Sequence, residues 1–261
     1  IHVRNSDSLE AKDGDKVVVK ITSWRDDTHK YPIGIVTQVL DKGSVIDNEM
    51  MAILINNGFA LEFSPEAQEI ATRAAESMKD GLSWPDRKDF RGTTTFTIDP
   101  LTAKDFDDAL SFRWLDQGLL EIGVHIADAS HYLQEGTVLD QEAYAKSTSV
   151  YLVDRALPML PDVLSGDICS LKPNCDRLTF SVVFIIDPAK LKIQETWVGK
   201  SVIHSDYRFT YEDAQDILDK KHGLYYEELN ELNQLAIQIR KKRFASGSIG
   251  FESTEYRFEL D

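Results

Sequence analysis

The chain has 261 residues, 42% of them hydrophobic and 10% aromatic, which is apolar material enough for one large domain or two smaller ones. No apolar run approaches the ~18 residues of a membrane span, and no basic-then-apolar leader opens the sequence, whose first residue, Ile1, reads as a processed or cut terminus. A formal net charge of −15 argues, taken alone, against nucleic acid as a partner, so such a partner needs a local site that defeats the global repulsion.

In chain order, "DKVVVKITSW" (Asp15–Trp24) is rich in β-branched residues and follows the turn signal "KDGD", so it reads as a strand. "PIGIVTQVL" (Pro32–Leu40) reads as a second strand, ended by "DKGS". "EMMAILINNGF" (Glu49–Phe59) fits either strand or helix, with "NNG" as its stop. Short strands with Gly/Asp turns suggest a small β-barrel. Over 64–79 the period changes. Ser64 is an N-cap with Pro65 at the first helical position, and Ala67, Ile70, Ala71, Ala74 and Met78 recur at helical spacing. "KDGLSWPDRKDFRG" then reads as a linker, giving expected domains at 1–79 and 93–261 with a connection over 80–92.

From Thr93 the texture is strand again. "TTTFTI" runs into Asp99, and "ALSFRWLDQGLLEIGVHIAD" is a hairpin. Leu110, Phe112 and Trp114 alternate on one arm, Leu120, Ile122, Val124 and Ile126 on the other, with Asp116–Gly118 as the turn. His125 falls in the opposite phase and so faces the other side. It is either close to a site or a hydrogen-bonded structural histidine, and Asp128 calls for the same reading. "RLTFSVVFIID" (Arg177–Asp187) and "ETWVGKSVIHS" (Glu195–Ser205) make a second strand pair. A helix follows behind a Thr210/Asp213 capping box. A longer one runs from about Tyr225 to Ala245, its C-terminal "RKKR" (Arg240–Arg243) suiting the helix dipole and Gly247 closing it. The last segment, "GFESTEYRFELD", alternates like a strand. Cys169 and Cys175 are too few for a zinc site and are expected as thiols in a reducing compartment.

The chemistry concentrates in "IDPLTAKDFDDA", where Asp99, Asp105, Asp107 and Asp108 follow the spacing Asp-x5-Asp-x-Asp-Asp. With 44 acidic residues in the chain, about two would fall in such a window by composition, so counting does not decide. A solvated acidic loop and a metal site both remain open. An EF-hand loop does not fit, because its Asp-x-Asp-x-Asp-Gly pattern is absent. A strand–loop–strand setting lets the four carboxylates converge. Converging anions need a cation, and hard oxygen donors select Mg²⁺ or Mn²⁺.

"TIDPLTAKDFDDAL" resembles the signature of the ribonuclease II/ribonuclease R family, the RNB domain. "GVHIADASHYL" (Gly123–Leu133), "SVYLVDRALPMLPDVLSGDICSLKPNCDRLTFSV" (Ser149–Val182) and "SDYRFTYEDA" (Ser205–Ala214) resemble its next blocks in family order, and bacterial ribonuclease R most. Residues 1–79 resemble the family's second cold-shock domain without its first strand. The resemblance implies a β-rich α+β chain: an N-terminal OB/cold-shock-like barrel followed by the N-terminal portion of an RNB catalytic domain. It further implies processive 3′→5′ hydrolysis of single-stranded RNA to 5′-mononucleotides with Mg²⁺. Asp99, Asp105 and Asp108 would be metal ligands and Asp107 the aspartate most needed for the chemical step. Tyr151 and Tyr211 would contact RNA, while Tyr207 and Arg208 beside Tyr211 read as structural. The expected setting is a cytoplasmic monomer acting on RNA, with neither DNA nor membrane as partner. The family's later RNB half and its S1 domain have no counterpart in these residues, so the chain reads as an internal fragment inactive alone. An RNA-binding module without catalysis is the alternative, and the retention of all four aspartates speaks against it.

Overall fold

The computed structural model describes residues 1–24, 30–40, 44–78, 82–153 and 155–251, and these divide into two compact units. The expected C-terminal strand lies almost wholly outside the described residues.

The first unit comprises Ile1–Phe63 together with Val150–Leu157. Its Ile1–Phe63 segment carries the described strands β1 (His2–Val3), β2 (Val17–Ser23) and β3 (Ile33–Val39). They form a sheet of order β1-β3-β2, with β1 parallel and β2 antiparallel to β3. The ambiguous 49–59 segment is helical. Helix α1 (Val45–Asn56) starts at a Ser44/Asp47 capping box and ends before Gly58, whose φ of +82° suits the turn that "NNG" signals. Val36, Leu40 and Leu54 are buried.

The second unit contains Ser64–Ser149 and Pro158–Asp261. It opens with α2 (Pro65–Ser77), whose N-cap Ser64 accepts a hydrogen bond from the Ala67 amide as expected. The expected domain boundary at residue 79 is displaced. Ala67 and Ala71 are buried, and the Ser64 amide donates to Glu142 at 3.1 Å, so α2 belongs with the second unit. The expected 80–92 linker is also corrected. Lys88–Asp89 forms β4, Phe90 is 3% exposed in the core, and Arg87 makes a buried ion pair with Asp128 at 2.7 Å. Charge-rich composition mimics a solvated linker here, whereas the charges are matched inside the protein.

The remaining elements are β5 (Thr94–Asp99), β6 (Asp108–Trp114), β7 (Leu120–Ala127), α3 (Val138–Lys146), the β8 (Val150–Tyr151)–β9 (Ala156–Leu157) hairpin of the first unit, β10 (Asp176–Asp187), β11 (Lys192–His204), β12 (Tyr207–Thr210), α4 (Tyr211–Lys220) and α5 (Tyr226–Ala245). Seven strands make one mixed sheet of order β12-β5-β6-β7-β10-β11-β4, with β12 and β4 parallel to their neighbours. The predicted hairpins are β6–β7 and β10–β11. The alternating Phe112, Leu120 and Ile122 pack with Ile186 and Leu235 of α5. Phe96 and Phe209 pack with Ala214 of α4 and Leu229 of α5. A third cluster joins Phe90, Phe106, Ala109, Leu171, Val183 and Ile203. Thr210 and Asp213 form the expected capping box of α4. After α5, the Gly247 amide donates to the Phe244 carbonyl at 3.0 Å, closing the helix as its φ of +97° allows.

His125 resolves as structural. It is wholly buried, and its Nδ1 lies 2.6 Å from the Ser181 hydroxyl in a chain that continues through Ser201 to Thr179. Both cysteines are free, and burial pushes the Cys169 thiol up to about 12. Among the described residues no helix is long and apolar enough to cross a membrane.

Candidate active site

Asp99 is the last residue of β5 and Asp108 the first of β6, so the loop between them carries the whole acidic cluster. The strands pair in the register Thr94↔Phe112, Thr95↔Ser111, Phe96↔Leu110, which brings the two ends of the loop side by side. A turn closes inside it, with the Ala103 amide donating to the Pro100 carbonyl at 3.0 Å.

The loop is held from below by Phe106, its buried large apolar residue, whereas Leu101 is exposed. Its ring is buried with Phe90, Leu171 and Ile203, which leaves Asp107 turned outward and Asp105 half-buried on either side. Its backbone is held as firmly. The Phe106 amide donates to the Ser170 hydroxyl at 2.9 Å, and the Leu171 amide donates to the Phe106 carbonyl at 2.8 Å. The Ser170 hydroxyl also contacts the Lys104 carbonyl at 3.3 Å. At the far end the Ala127 amide donates to the Asp107 carbonyl at 2.9 Å.

From the other side come β12 and α4. Asp206 fixes β12 to β5: its carboxylate accepts from the Thr95 amide at 2.8 Å while its own amide donates to the Thr95 carbonyl at 2.7 Å. The parallel register then sets Thr210 beside Asp99, so α4 begins next to the aspartates and exposed Tyr211 lies at its first turn. Arg208 donates to the Pro100 carbonyl at 2.6 Å and the Leu101 carbonyl at 3.2 Å.

The electrostatics follow from this crowding. Asp99 is 8% exposed, and its Oδ2 is buried with no hydrogen-bond partner among the described residues. Burial raises the Asp99 pKa above the ordinary carboxylate value. Repulsion from Asp108 and Asp105 adds to the rise, and the Thr97 hydroxyl and the Arg208 charge oppose it. Asp107 is open to solvent on one side, yet the surrounding protein desolvates its carboxyl and raises its pKa, with Asp105, Asp108 and Asp99 adding repulsion in that order. The four carboxylates therefore sense one another. Among the described residues, however, no group of three or more His, Cys, Asp or Glu side chains is arranged to hold a metal ion. Like charges stand apart, so the set is gathered but not closed.

Tyr151 is not brought to this cluster within one unit. It is 66% exposed on the β8–β9 hairpin, which belongs to the first unit and is tied to α1 by the Arg155–Asp47 ion pair. Sequence reading missed Phe106 and Ser170, and it named Arg208 as structural without the loop contacts it makes. A phenylalanine flanked by aspartates in a polar loop is the one signal that pointed to an anchor.

The RNB domain signature matches residues 87–261, two thirds of the chain. The chain belongs to the RNB family. A cold-shock domain signature matches residues 1–64 of this RNB protein, in agreement with the division of the structure after Phe63. DIS3-like exonuclease 2 of Schizosaccharomyces pombe is 36% identical over 93% of the chain. An Arabidopsis thaliana relative described as an inactive exonuclease is 33% identical over 94% of it. The chain spans 28% and 24% of the lengths of these two proteins. The structure of Mycoplasma genitalium RNase R in complex with ribose-methylated single-stranded RNA superposes on the whole chain with a TM-score of 0.83 at 26% identity, the chain covering 41% of that protein.

Proposed function

We propose that this RNB chain carries the acidic centre of an exoribonuclease that hydrolyses single-stranded RNA from the 3′ end to 5′-mononucleotides with Mg²⁺. The observation that carries the reading is the buried, unpartnered Oδ2 of Asp99 at the foot of a pinned loop bearing three more aspartates. A buried carboxylate oxygen without a donor is costly unless a cation or proton meets it, and an all-oxygen donor set suits a hard divalent ion. Asp99, Asp105 and Asp108 would hold that ion, with Mn²⁺ as a substitute. When bound, it supplies neutralisation of phosphate charge and acidification of water.

The chain's own residues do the rest. Asp107 and Asp108 are the exposed members of the cluster, and desolvation together with the neighbouring aspartates raises the Asp107 pKa above the ordinary carboxylate value. With Asp99, Asp105 and Asp108 holding the ion, Asp107 would be the remaining carboxylate, placed to take the proton from the attacking water. Tyr211 offers an exposed ring for stacking on a base beside the cluster, a contact tolerant of sequence and so compatible with stepwise digestion. Tyr151 offers a second exposed ring. The net charge of −15 repels RNA at a distance, which makes a local cation part of recognition as well as chemistry.

The test is hydrolysis of 5′-labelled single-stranded RNA by the longest natural protein that carries this chain. Products should shorten from the 3′ end, a 3′ block should stop them, and Asp107→Asn should lower turnover by about 10²–10⁴-fold while RNA binding persists. Unaltered turnover in Asp107→Asn would remove it from the mechanism. Stable RNA complexes with no products from the unsubstituted protein would favour the second reading, an RNA-binding module that does not cleave, as the inactive Arabidopsis relative allows.

A further inference from the structure

We propose that Arg208 is a positioning residue for the acidic loop, clamping its backbone from β12 so that the aspartates are presented together. The inference rests on the proposed cation site, and it adds a residue that touches neither cation nor RNA. Arg208 donates through Nη2 to two successive carbonyls, Pro100 at 2.6 Å and Leu101 at 3.2 Å. Its guanidinium carbon also lies 5.5 Å from the centroid of the Phe106 ring. One planar side chain therefore grips the loop just after Asp99 and again at the residue between Asp105 and Asp107. The Pro100 carbonyl is shared with the Ala103 amide, so the clamp also closes the turn inside the loop. β12 is itself locked to β5 by the Asp206–Thr95 exchange, so the clamp has a rigid base.

The geometry favours arginine: Nη2 supplies both hydrogen bonds while the flat guanidinium face lies towards the Phe106 ring, whereas a lysine ammonium reaches the carbonyls without a planar face to present to the ring. The clamp is also separable from simple electrostatics by sign. A positive charge near carboxylates repels a divalent cation, so removing it without moving the loop would tighten cation binding. Removing a clamp loosens the loop and weakens binding.

The experiment compares the longest natural protein that carries this chain with its Arg208→Met and Arg208→Lys variants. Mn²⁺ affinity is read by electron paramagnetic resonance and the protection of the Ala103 and Phe106 amides by hydrogen exchange. Far-UV circular dichroism checks folding, and the lysine variant carries the test if the methionine variant does not fold. The expected result is faster exchange at both amides in both variants and Mn²⁺ binding weakened by about 10–100-fold in Arg208→Met, the range for loss of a group that orients metal ligands. Mn²⁺ bound as tightly as before, or more tightly, with unchanged amide protection would overturn the proposal. A lysine variant indistinguishable from the unsubstituted protein would also overturn it, since charge alone would then suffice. If the unsubstituted protein binds no Mn²⁺, the cation reading fails, and the exchange data alone decide whether Arg208 holds the loop.

Discussion

Replacing Asp128 by Asn should be among the most damaging conservative changes in the second unit. Its side chain is 3% exposed and pairs at 2.7 Å with Arg87, whose side chain is 1% exposed. The Ser130 hydroxyl donates to its second oxygen at 2.6 Å. Arg87 also donates through Nη1 to the Thr179 and Ser201 carbonyls at 3.2 and 3.3 Å, so the pair staples the 87–90 segment across β10 and β11. Asn keeps the shape and removes the charge, which leaves a buried guanidinium uncompensated. Breaking a buried pair from one side costs about 3–5 kcal/mol. For a domain of this size that is a fall of roughly 6–20 °C in Tm, at about 2–4 °C per kcal/mol. Differential scanning calorimetry with urea unfolding as a second probe measures it. The double variant Arg87→Met/Asp128→Leu should recover most of the loss, because neither charge then remains buried. A single-variant shift below about 3 °C, or a double variant as unstable as Asp128→Asn, would refute the reasoning.

His125 supplies a pH prediction. Burial lowers its pKa to about 4, so the folded state resists protonation while the unfolded state takes up a proton near the ordinary value of 6.5. Its contribution is present above that ordinary value and is lost as pH falls from there to about 4, amounting to about 3 kcal/mol. Urea unfolding across this window should show the slope, and His125→Gln should flatten it; an unchanged slope would contradict the assignment. Gly123→Ala should destabilise by about 1–3 kcal/mol through overpacking. A Cβ there would lie 2.4 Å from both His125 Nε2 and Ser111 Oγ, in the buried middle of the sheet. Equal or greater stability, read in the same urea titration, would show that the sheet yields there. Asp128 acts in a more acidic range. Desolvation raises its pKa, but Ser130 and Arg87 outweigh that and hold it below the ordinary value, so its stabilisation is kept above that value and lost as pH falls through the lowered one.

What the sequence made legible was local. The β6–β7 hairpin announced itself by alternation and a turn, and α4 by Thr210 and Asp213, because the residues that form these features are neighbours in the chain. The misreadings were non-local. Helix α2 carries a clean helical period, but its period does not say that Ser64 bonds to Glu142 or that the helix belongs with the second unit. The 80–92 stretch looks solvated until Arg87 meets Asp128 and Phe90 enters the core. Tyr151 sits in a family block, yet Arg155 three positions before Pro158 ties its hairpin to Asp47 in the first unit. At the site, the aspartates were visible as a pattern, whereas Arg208 and Ser170 act from more than sixty residues away on backbone atoms, which leave no mark in a spacing.

On the function proposed above, the loop from Asp99 to Asp108 holds a divalent cation. The decisive measurement titrates the longest natural protein that carries this chain, and its Asp99→Asn variant, with Mn²⁺ while recording electron paramagnetic resonance. Saturable binding at one or more sites is expected in the unsubstituted protein, displaced by Mg²⁺ and lost or greatly weakened in Asp99→Asn. Binding that is absent from both, or equal in both, would contradict it.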